Sequence, residues 1–364
     1  MKILFISLGC DKNLADSETM LGLLASRGYQ IVDTEEDADV IIVNTCCFIH
    51  DAMEESIETI LQMAEYKKSG SLKALIVTGC MAERYREEIT KEIPEVDAVL
   101  GTASYGHILD AVDGALAGQS YLKMEPLDTL PLVNTHRMVT TGGHYAYLKI
   151  AEGCDKHCTY CIIPKLRGNF RSVPMEHLLR EVKQLADDGV KEIILVAQET
   201  TLYGKDLYGE KKLPELLRRL CKISGIRWIR ILYCYPEEIT EELIQTIKEE
   251  PKICHYLDLP IQHASDDVLK RMGRRTSKEE LIHIISRIRE EIPDITLRTT
   301  LITGFPGESK EQHEELMDFV DEMAFGRLGV FTYSAEDGTP AAQMPDQVAA
   351  RVTEDRRAEL MALQ

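Results

Sequence analysis

Short apolar runs separated by amphipathic stretches recur along almost the whole chain. The runs at 2–8, 40–45 and 72–78 are rich in Ile, Val and Leu and too short for buried helices, so they predict strands. The stretches after them carry apolar residues at helical spacing. The first helix is expected from about Asp16, a good N-cap, to Gly28, a good stop. Others are expected near 51–68 and 82–92. This strand–helix alternation predicts a small parallel sheet over residues 1–117. Residues 118–141 hold no sustained period and two prolines, and read as a linker, with Gly142–Gly143 a plausible bend. A second series then predicts strands at 145–151, 191–197, 227–234, 255–260, 295–303 and 327–333. Its helices fall near 175–188, 213–223, 238–249, 277–291 and 309–323. Six such units over 142–345 make a partial (β/α)6 barrel, two units short of eight. The chain is therefore α/β twice over. Residues 346–364 read as a charged helix without a stop signal, expected to lead out towards a further domain.

This pattern gives the cysteines their meaning. Ligands of parallel sheets gather beyond the carboxyl ends of the strands. Cys10, Cys46 and Cys80 each sit just past such an end, in ILFISLGC, VIIVNTC and ALIVTGC. Residues tens of positions apart are thus expected to converge on one sheet edge. Cys154, Cys158 and Cys161 form a compact C-x3-C-x2-C after the first strand of the second series, in GCDKHCTYC. Three thiolates can hold a 4Fe-4S cluster and leave one iron open to another ligand. A zinc site normally takes four protein ligands, and no fourth cysteine accompanies the compact triplet; His157 lies between its cysteines and need not point inward. Cys47 reads as a small buried hydrophobe, and Cys221, Cys234 and Cys254 read as core or strand thiols.

Composition narrows the partners. With Lys+Arg 42 against Asp+Glu 61 the chain carries −19. That disfavours stable nucleic-acid binding, which depends on neutralising phosphates, and suits a basic protein partner. Arg271, Arg274 and Arg275, or Lys165, Arg167 and Arg171, could still form a local basic groove. No apolar run approaches the ~18 residues of a membrane span, and nine residues before Cys10 are too few for a signal sequence. Ten cysteines without such a leader point to metal or redox chemistry in a cytoplasmic protein.

The motif CDKHCTYC, with Tyr160 before the third cysteine, resembles the signature of the radical S-adenosylmethionine (SAM) superfamily. The resemblance implies that the open iron at Cys154, Cys158 and Cys161 binds SAM and cleaves it to a 5′-deoxyadenosyl radical. It gives AQETTLYG, through Gln198, Glu199 and Thr200, the task of holding the SAM ammonium. It gives Gly304 and Pro306 of TLITGFPGE a contact with the adenine region. Arg298, amid the apolar residues of TLRTTLI, is costly unless paired. It is expected to point into the cavity towards SAM or a substrate carboxylate; an exposed edge position is the alternative.

SLGCDKNLADSE, NTCCF and VTGCMAER resemble the N-terminal domain of the methylthiotransferases. That implies a second 4Fe-4S cluster at Cys10, Cys46 and Cys80, which carries the sulfur to be transferred. Lys12 and Asn13 could tune this cluster or form a helix-entry turn. Within the methylthiotransferases, YGKDLYGEKKLPELL, RILYCYPEEI, LPIQHASDDVLKRMGRRT and YSAEDGTPAA resemble the RimO family. Its members methylthiolate the β-carbon of an aspartate in ribosomal protein S-12; the alternative is an adenosine of tRNA. SAM would serve as methyl donor and as radical source, with an electron donor such as flavodoxin or ferredoxin. Asp11 and Val173 depart from the family's common proline and arginine, which bears on loop shape only. The family's C-terminal TRAM domain has no counterpart in the sequence read.

Overall fold

A computed structural model describes residues 1–70, 72–133 and 135–364. The chain divides into two compact units. The first comprises residues 1–143, 152–154 and 163–173, and the second 144–151, 155–162 and 174–364.

The first unit is built on six strands: β1 (Lys2–Ser7), β2 (Gln30–Val32), β3 (Val40–Thr45), β4 (Ala74–Gly79), β5 (Ala98–Leu100) and β6 (Tyr121–Lys123). They form one parallel sheet in the order β2-β1-β3-β4-β5-β6. Every residue of β3 and β4 is buried. That is why VIIVNT and ALIVTG read as continuous apolar runs and not as alternating ones. Ile3, Val40, Ile42 and Ile76 share a core with Met20 and Leu24 of the first helix and with Ile108 and Val112 of helix Ile108–Leu116.

Three expectations are corrected here. The first helix runs Asp11–Ser26, five residues earlier than the Asp16 cap implied. Cys10 is the extended residue before it, and the Asp16 carboxylate is held by Arg167, so it caps nothing. The helix near 82–92 is two pieces, Cys80–Tyr85 and Glu87–Glu92, broken at Arg86 with φ 47°. The linker 118–141 belongs to the first unit: β6 is its edge strand. The chain beyond β6 is tied to the first helix by Arg137 Nη2 to Glu18 Oε2 (2.6 Å) and Thr140 N–H to Glu18 Oε1 (2.6 Å). Gly22 makes that approach possible, since a Cβ there would lie 1.9 Å from the His136 carbonyl oxygen. Gly142 and Gly143 both have left-handed φ, at the end of this segment.

The second unit begins with β7 (Tyr145–Lys149). Two-residue strands β8 (Ala151–Glu152) and β9 (Arg171–Ser172) come next in the chain, with residues 152 and 171–172 counted in the first unit; the second unit continues with β10 (Glu192–Val196), β11 (Trp228–Ile231), β12 (Ile253–Gln262), β13 (Thr296–Thr303) and β14 (Arg327–Thr332). The sheet order β14-β13-β12-β11-β10-β7 is sequential, and every pairing is parallel. Helices 175–187, 213–221, 241–249, 278–291 and 310–323 connect the strands. Capping boxes at Ser277/Glu280 and Ser309/Gln312 fix the starts of the last two. The C-terminal helix Ala350–Leu363 packs on this unit. Leu360 is fully buried and Arg356 Nη1 donates to Glu308 Oε1 at 2.9 Å. Among the described residues, no helix is long and apolar enough to cross a membrane.

Candidate metal centres

In the first unit the strand register assembles the dispersed triplet. Ser7 is level with Asn44, and Asn44 with Thr78. Cys10, Cys46 and Cys80 therefore leave three adjacent strands at nearly the same height. Two glycines permit the close approach. Gly9 (φ 86°) has no room for a Cβ, which would stand 2.7 Å from Cys46 Cβ. Gly79 (φ 93°) would place one 2.3 Å from Asn44 Oδ1 and 2.6 Å from the Thr45 oxygen. Cys10 is exposed, while Cys46 and Cys80 are buried.

Asn13 braces the three loops and has no exposed surface. Its Nδ2 donates to the carbonyl oxygens of Leu8 (3.1 Å) and Thr45 (2.9 Å). Its Oδ1 accepts from Arg167 Nη2 and lies 3.9 Å from Cys80 Sγ. Arg167 Nη1 also donates to Asp16 Oδ2 (2.8 Å) and Glu152 Oε2 (3.1 Å). Arg167, Arg171 and Arg274 are all at least nine-tenths buried, whereas Lys165 and Arg275 are exposed. Burial, with Cys80 alongside, pushes the Cys46 thiol up to about 12, and burial likewise raises Cys80. Thiols so placed hold their protons unless a metal replaces them. Cys46 and Cys80, with Cys10 on the adjoining loop, suit an iron–sulfur cluster with one iron open.

The compact triplet is held differently. Cys154 lies with the first unit; its N–H donates to the Gly168 oxygen (3.1 Å). Cys158 and Cys161 lie with the second. There Cys158 Sγ is 3.8 Å from Tyr235 Oη. Tyr160 packs edge-on to Phe305, with centroids 6.5 Å apart, and Phe305 packs on Tyr333.

Beyond β10, Glu199 has no exposed surface. Oε1 accepts from the Thr201 N–H (3.0 Å) and from its hydroxyl, while Oε2 has no hydrogen-bond partner. Burial raises its carboxyl to about 8, although the Thr201 hydrogen bond and Lys156 oppose the rise. An orphaned buried carboxylate oxygen is what an ammonium group of a bound ligand would satisfy. Gln198 is half-buried beside it. Thr200 is already engaged: its N–H donates to the Tyr233 oxygen (3.1 Å) and its hydroxyl to the Leu232 oxygen (2.7 Å). Arg298 donates to Asp258 Oδ1 at 2.6 Å, so its charge is paired within the sheet.

Gly304 and Pro306 are buried. A Cβ on Gly304 would lie 2.2 Å from Thr353 Oγ1 of the C-terminal helix. The sequence reading missed Glu308, which shapes this segment. Its Oε2 accepts from the N–H groups of Gly304 (2.6 Å) and Phe305 (3.0 Å), and its Oε1 from Arg356. His263 Nδ1 accepts from the Ser265 N–H (2.9 Å), leaving Nε2 protonated and 4.0 Å from Glu308 Oε2. Burial, then His313, lowers His263 to about 3, so it stays neutral. The glutamate ending GFPGE was the available signal.

Residues 2–101 match the uncharacterized protein family UPF0004, and residues 148–320 match the radical SAM superfamily. The chain is 66% identical over its full length to the ribosomal protein uS12 methylthiotransferase RimO of Lachnoclostridium phytofermentans, covering 83% of that protein. It is 51% identical over its full length to the RimO of Clostridioides difficile, covering 82% of it. Among solved structures, the radical SAM methyltransferase TsrM of Kitasatospora setae aligns with a TM-score of 0.64 at 12% identity, over 93% of this chain and 76% of that one. The cobalamin-dependent SAM radical enzyme OxsB aligns with a TM-score of 0.60 at 14% identity, over 99% of this chain and 56% of that one. These two likenesses concern the fold. The chain belongs to the RimO family of ribosomal protein uS12 methylthiotransferases, within the radical SAM superfamily.

Proposed function

We propose that this chain methylthiolates the β-carbon of an aspartate in ribosomal protein uS12. Cys154, Cys158 and Cys161 would hold the cluster that binds SAM, and Cys10, Cys46 and Cys80 the cluster that carries sulfur. When bound, these groups supply a 5′-deoxyadenosyl radical that abstracts the aspartate hydrogen, and the methylthio sulfur that replaces it. The chain's own residues do the positioning. Glu199, protonated while the site is empty, would lose its proton to solvent and face the SAM ammonium as a carboxylate, beside Gln198. Glu308 holds the Gly304–Pro306 turn in shape through two backbone N–H groups. Asn13 and Arg167 keep three sulfurs in register. The electron would come from a low-potential carrier of the flavodoxin or ferredoxin kind, in a cytoplasmic setting.

The observation that carries the reading is the pair of cysteine triplets, one at the carboxyl edge of the first sheet and one in the loop after β7, in a chain alike along its whole length to uS12 methylthiotransferases. The charge of −19 suits a basic substrate protein. The test is anaerobic turnover of reconstituted protein with SAM, reductant and either uS12 or tRNA, followed by mass spectrometry. A methylthio group on one aspartate of uS12 is expected. A methylthio group on a tRNA adenosine, with uS12 unmodified, would overturn the reading.

A further inference from the structure

Arg274 is 6% exposed. Its Nη2 donates to the Pro260 oxygen (3.0 Å), but Nε and Nη1 have no hydrogen-bond partner among the described residues. Its guanidinium carbon stands 4.2 Å from the centre of the Tyr235 ring, and Tyr235 Oη is 3.8 Å from Cys158 Sγ. A buried guanidinium with two idle donors is destabilising unless an anion completes it. The other cation on this ring, Lys156, has its Nζ 5.1 Å from the Tyr235 centroid but is neutralised by Glu238 (2.6 Å) and Glu237 (3.4 Å).

The backbone that carries Arg274 is fastened to the cysteine loop. The Thr159 N–H donates to the Met272 oxygen (2.9 Å), and its hydroxyl to the Arg271 oxygen (2.8 Å). Gly273 has φ 73°, and a Cβ there would lie 2.9 Å from the His157 oxygen. The turn 271–274 and the loop 157–159 thus form one piece, and the charge is set against Cys158 by main-chain geometry.

We infer that Arg274 is the fixed counter-cation of the compact cysteine site, a positioning residue whose idle N–H groups offset the thiolate charge gathered at Cys158 and raise the reduction potential of the cluster held there. The inference rests on the reading of that triplet as an iron–sulfur site. Cluster potential follows net charge and hydrogen bonding at the sulfurs. One electron enters from an external low-potential donor and adds one negative charge. No proton moves, because the guanidinium stays charged throughout. A buried cation therefore favours the reduced state.

The experiment is a redox titration of reconstituted full-length holoenzyme, followed through the EPR signal that added SAM perturbs. Wild type is compared with Arg274→Gln and Arg274→Lys, with iron content measured on each. In Arg274→Gln the ratio of reduced to oxidised cluster at a fixed potential should fall about tenfold, equivalent to ~59 mV for one electron. Arg274→Lys should stay within about threefold of wild type, since it keeps the charge. A wild-type titration curve in Arg274→Gln overturns the inference. So does that curve combined with SAM binding weakened tenfold, because the guanidinium then pairs with a ligand carboxylate. If Arg274→Gln does not load iron, the lysine variant decides: loading at the wild-type potential supports the inference, and failure to load overturns it. A wild-type protein with no SAM-perturbed signal would instead defeat the underlying reading of the triplet.

Discussion

The loops that carry the dispersed and compact triplets are placed by opposite means. Cys10, Cys46 and Cys80 owe their convergence to the register of β1, β3 and β4, and to buried side chains that brace it. Cys158 owes its place to a local turn fastened to its loop by Thr159 and Gly273. The first site is therefore part of the first unit's stability. The turn that holds Cys158 can be altered with little effect beyond its own loop, whereas Cys154 lies with the first unit.

The largest effect should come from breaking the brace. Arg167→Ala leaves the carboxylates of Asp16 and Glu152 buried without their cation. Removing one partner of a buried ion pair costs about 3–5 kcal/mol. Chemical denaturation of metal-free protein should show that loss, and iron should no longer load at the dispersed triplet. The two glycines sharpen the contrast. Gly79→Ala forces a Cβ against the Thr45 backbone at a left-handed φ, at a cost of about 2–4 kcal/mol. Gly273→Ala meets one carbonyl at 2.9 Å, with an expected cost of about 1–3 kcal/mol. Iron analysis should find each variant short of one cluster, and EPR a different cluster in each. Loss of both clusters in Gly273→Ala would show that the compact site is not local.

The same contrast explains what the sequence made legible. Apolar runs and helical spacing located β1, β3 and β4 of the first sheet and all six strands of the second, but not the three-residue strands β2, β5 and β6, and the strand ends drew attention to the six cysteines. What supports the cysteines was hidden. Arg167 looked like one member of a basic run, because nothing in KLRGNFR shows that it is buried against Asp16 and Asn13. Asp16 resembles a helix cap by composition, and only its partner reveals that the helix starts at Asp11. β6 is three residues long at a sheet edge, too short to show a period. Glu308 is visible as the glutamate ending GFPGE, but its role is not, because the donors to its carboxylate are backbone N–H groups, which any residue supplies. Long-range polar pairing is set by tertiary packing, and local pattern does not encode it.

Smaller effects separate binding from support beyond β10. Glu199 is held protonated by burial, with its folded value about 8 against an ordinary value near 4.5. A carboxyl raised on folding binds more protons folded than unfolded between those values, so stability falls as pH rises through that window and levels off above about 8. From pH 6 to pH 7 the loss in metal-free protein is at most ~1.4 kcal/mol. Denaturant melts of wild type and Glu199→Gln should diverge over this range, with the glutamine variant lacking that slope. Parallel curves would place the orphan oxygen in contact with water.

Thr200 makes the finest distinction. Its hydroxyl donates to the Leu232 oxygen, and its N–H to the Tyr233 oxygen, so both donors serve the end of β11. Thr200→Val keeps the shape and removes one such hydrogen bond, worth about 1 kcal/mol. If Thr200 supports the loop and Glu199 meets the ligand, Thr200→Val should lower stability by that amount. SAM affinity by calorimetry should stay within about threefold, because an effect under 1 kcal/mol on binding corresponds to no more than roughly fivefold. Glu199→Gln should do the reverse. It removes the ionisable buried carboxyl, and it weakens SAM binding by about tenfold or more, since a charge-assisted hydrogen bond is worth about 1.5–3 kcal/mol. A Thr200→Val variant of unchanged stability and tenfold weaker binding would reverse the two assignments and put the threonine hydroxyl on the ligand.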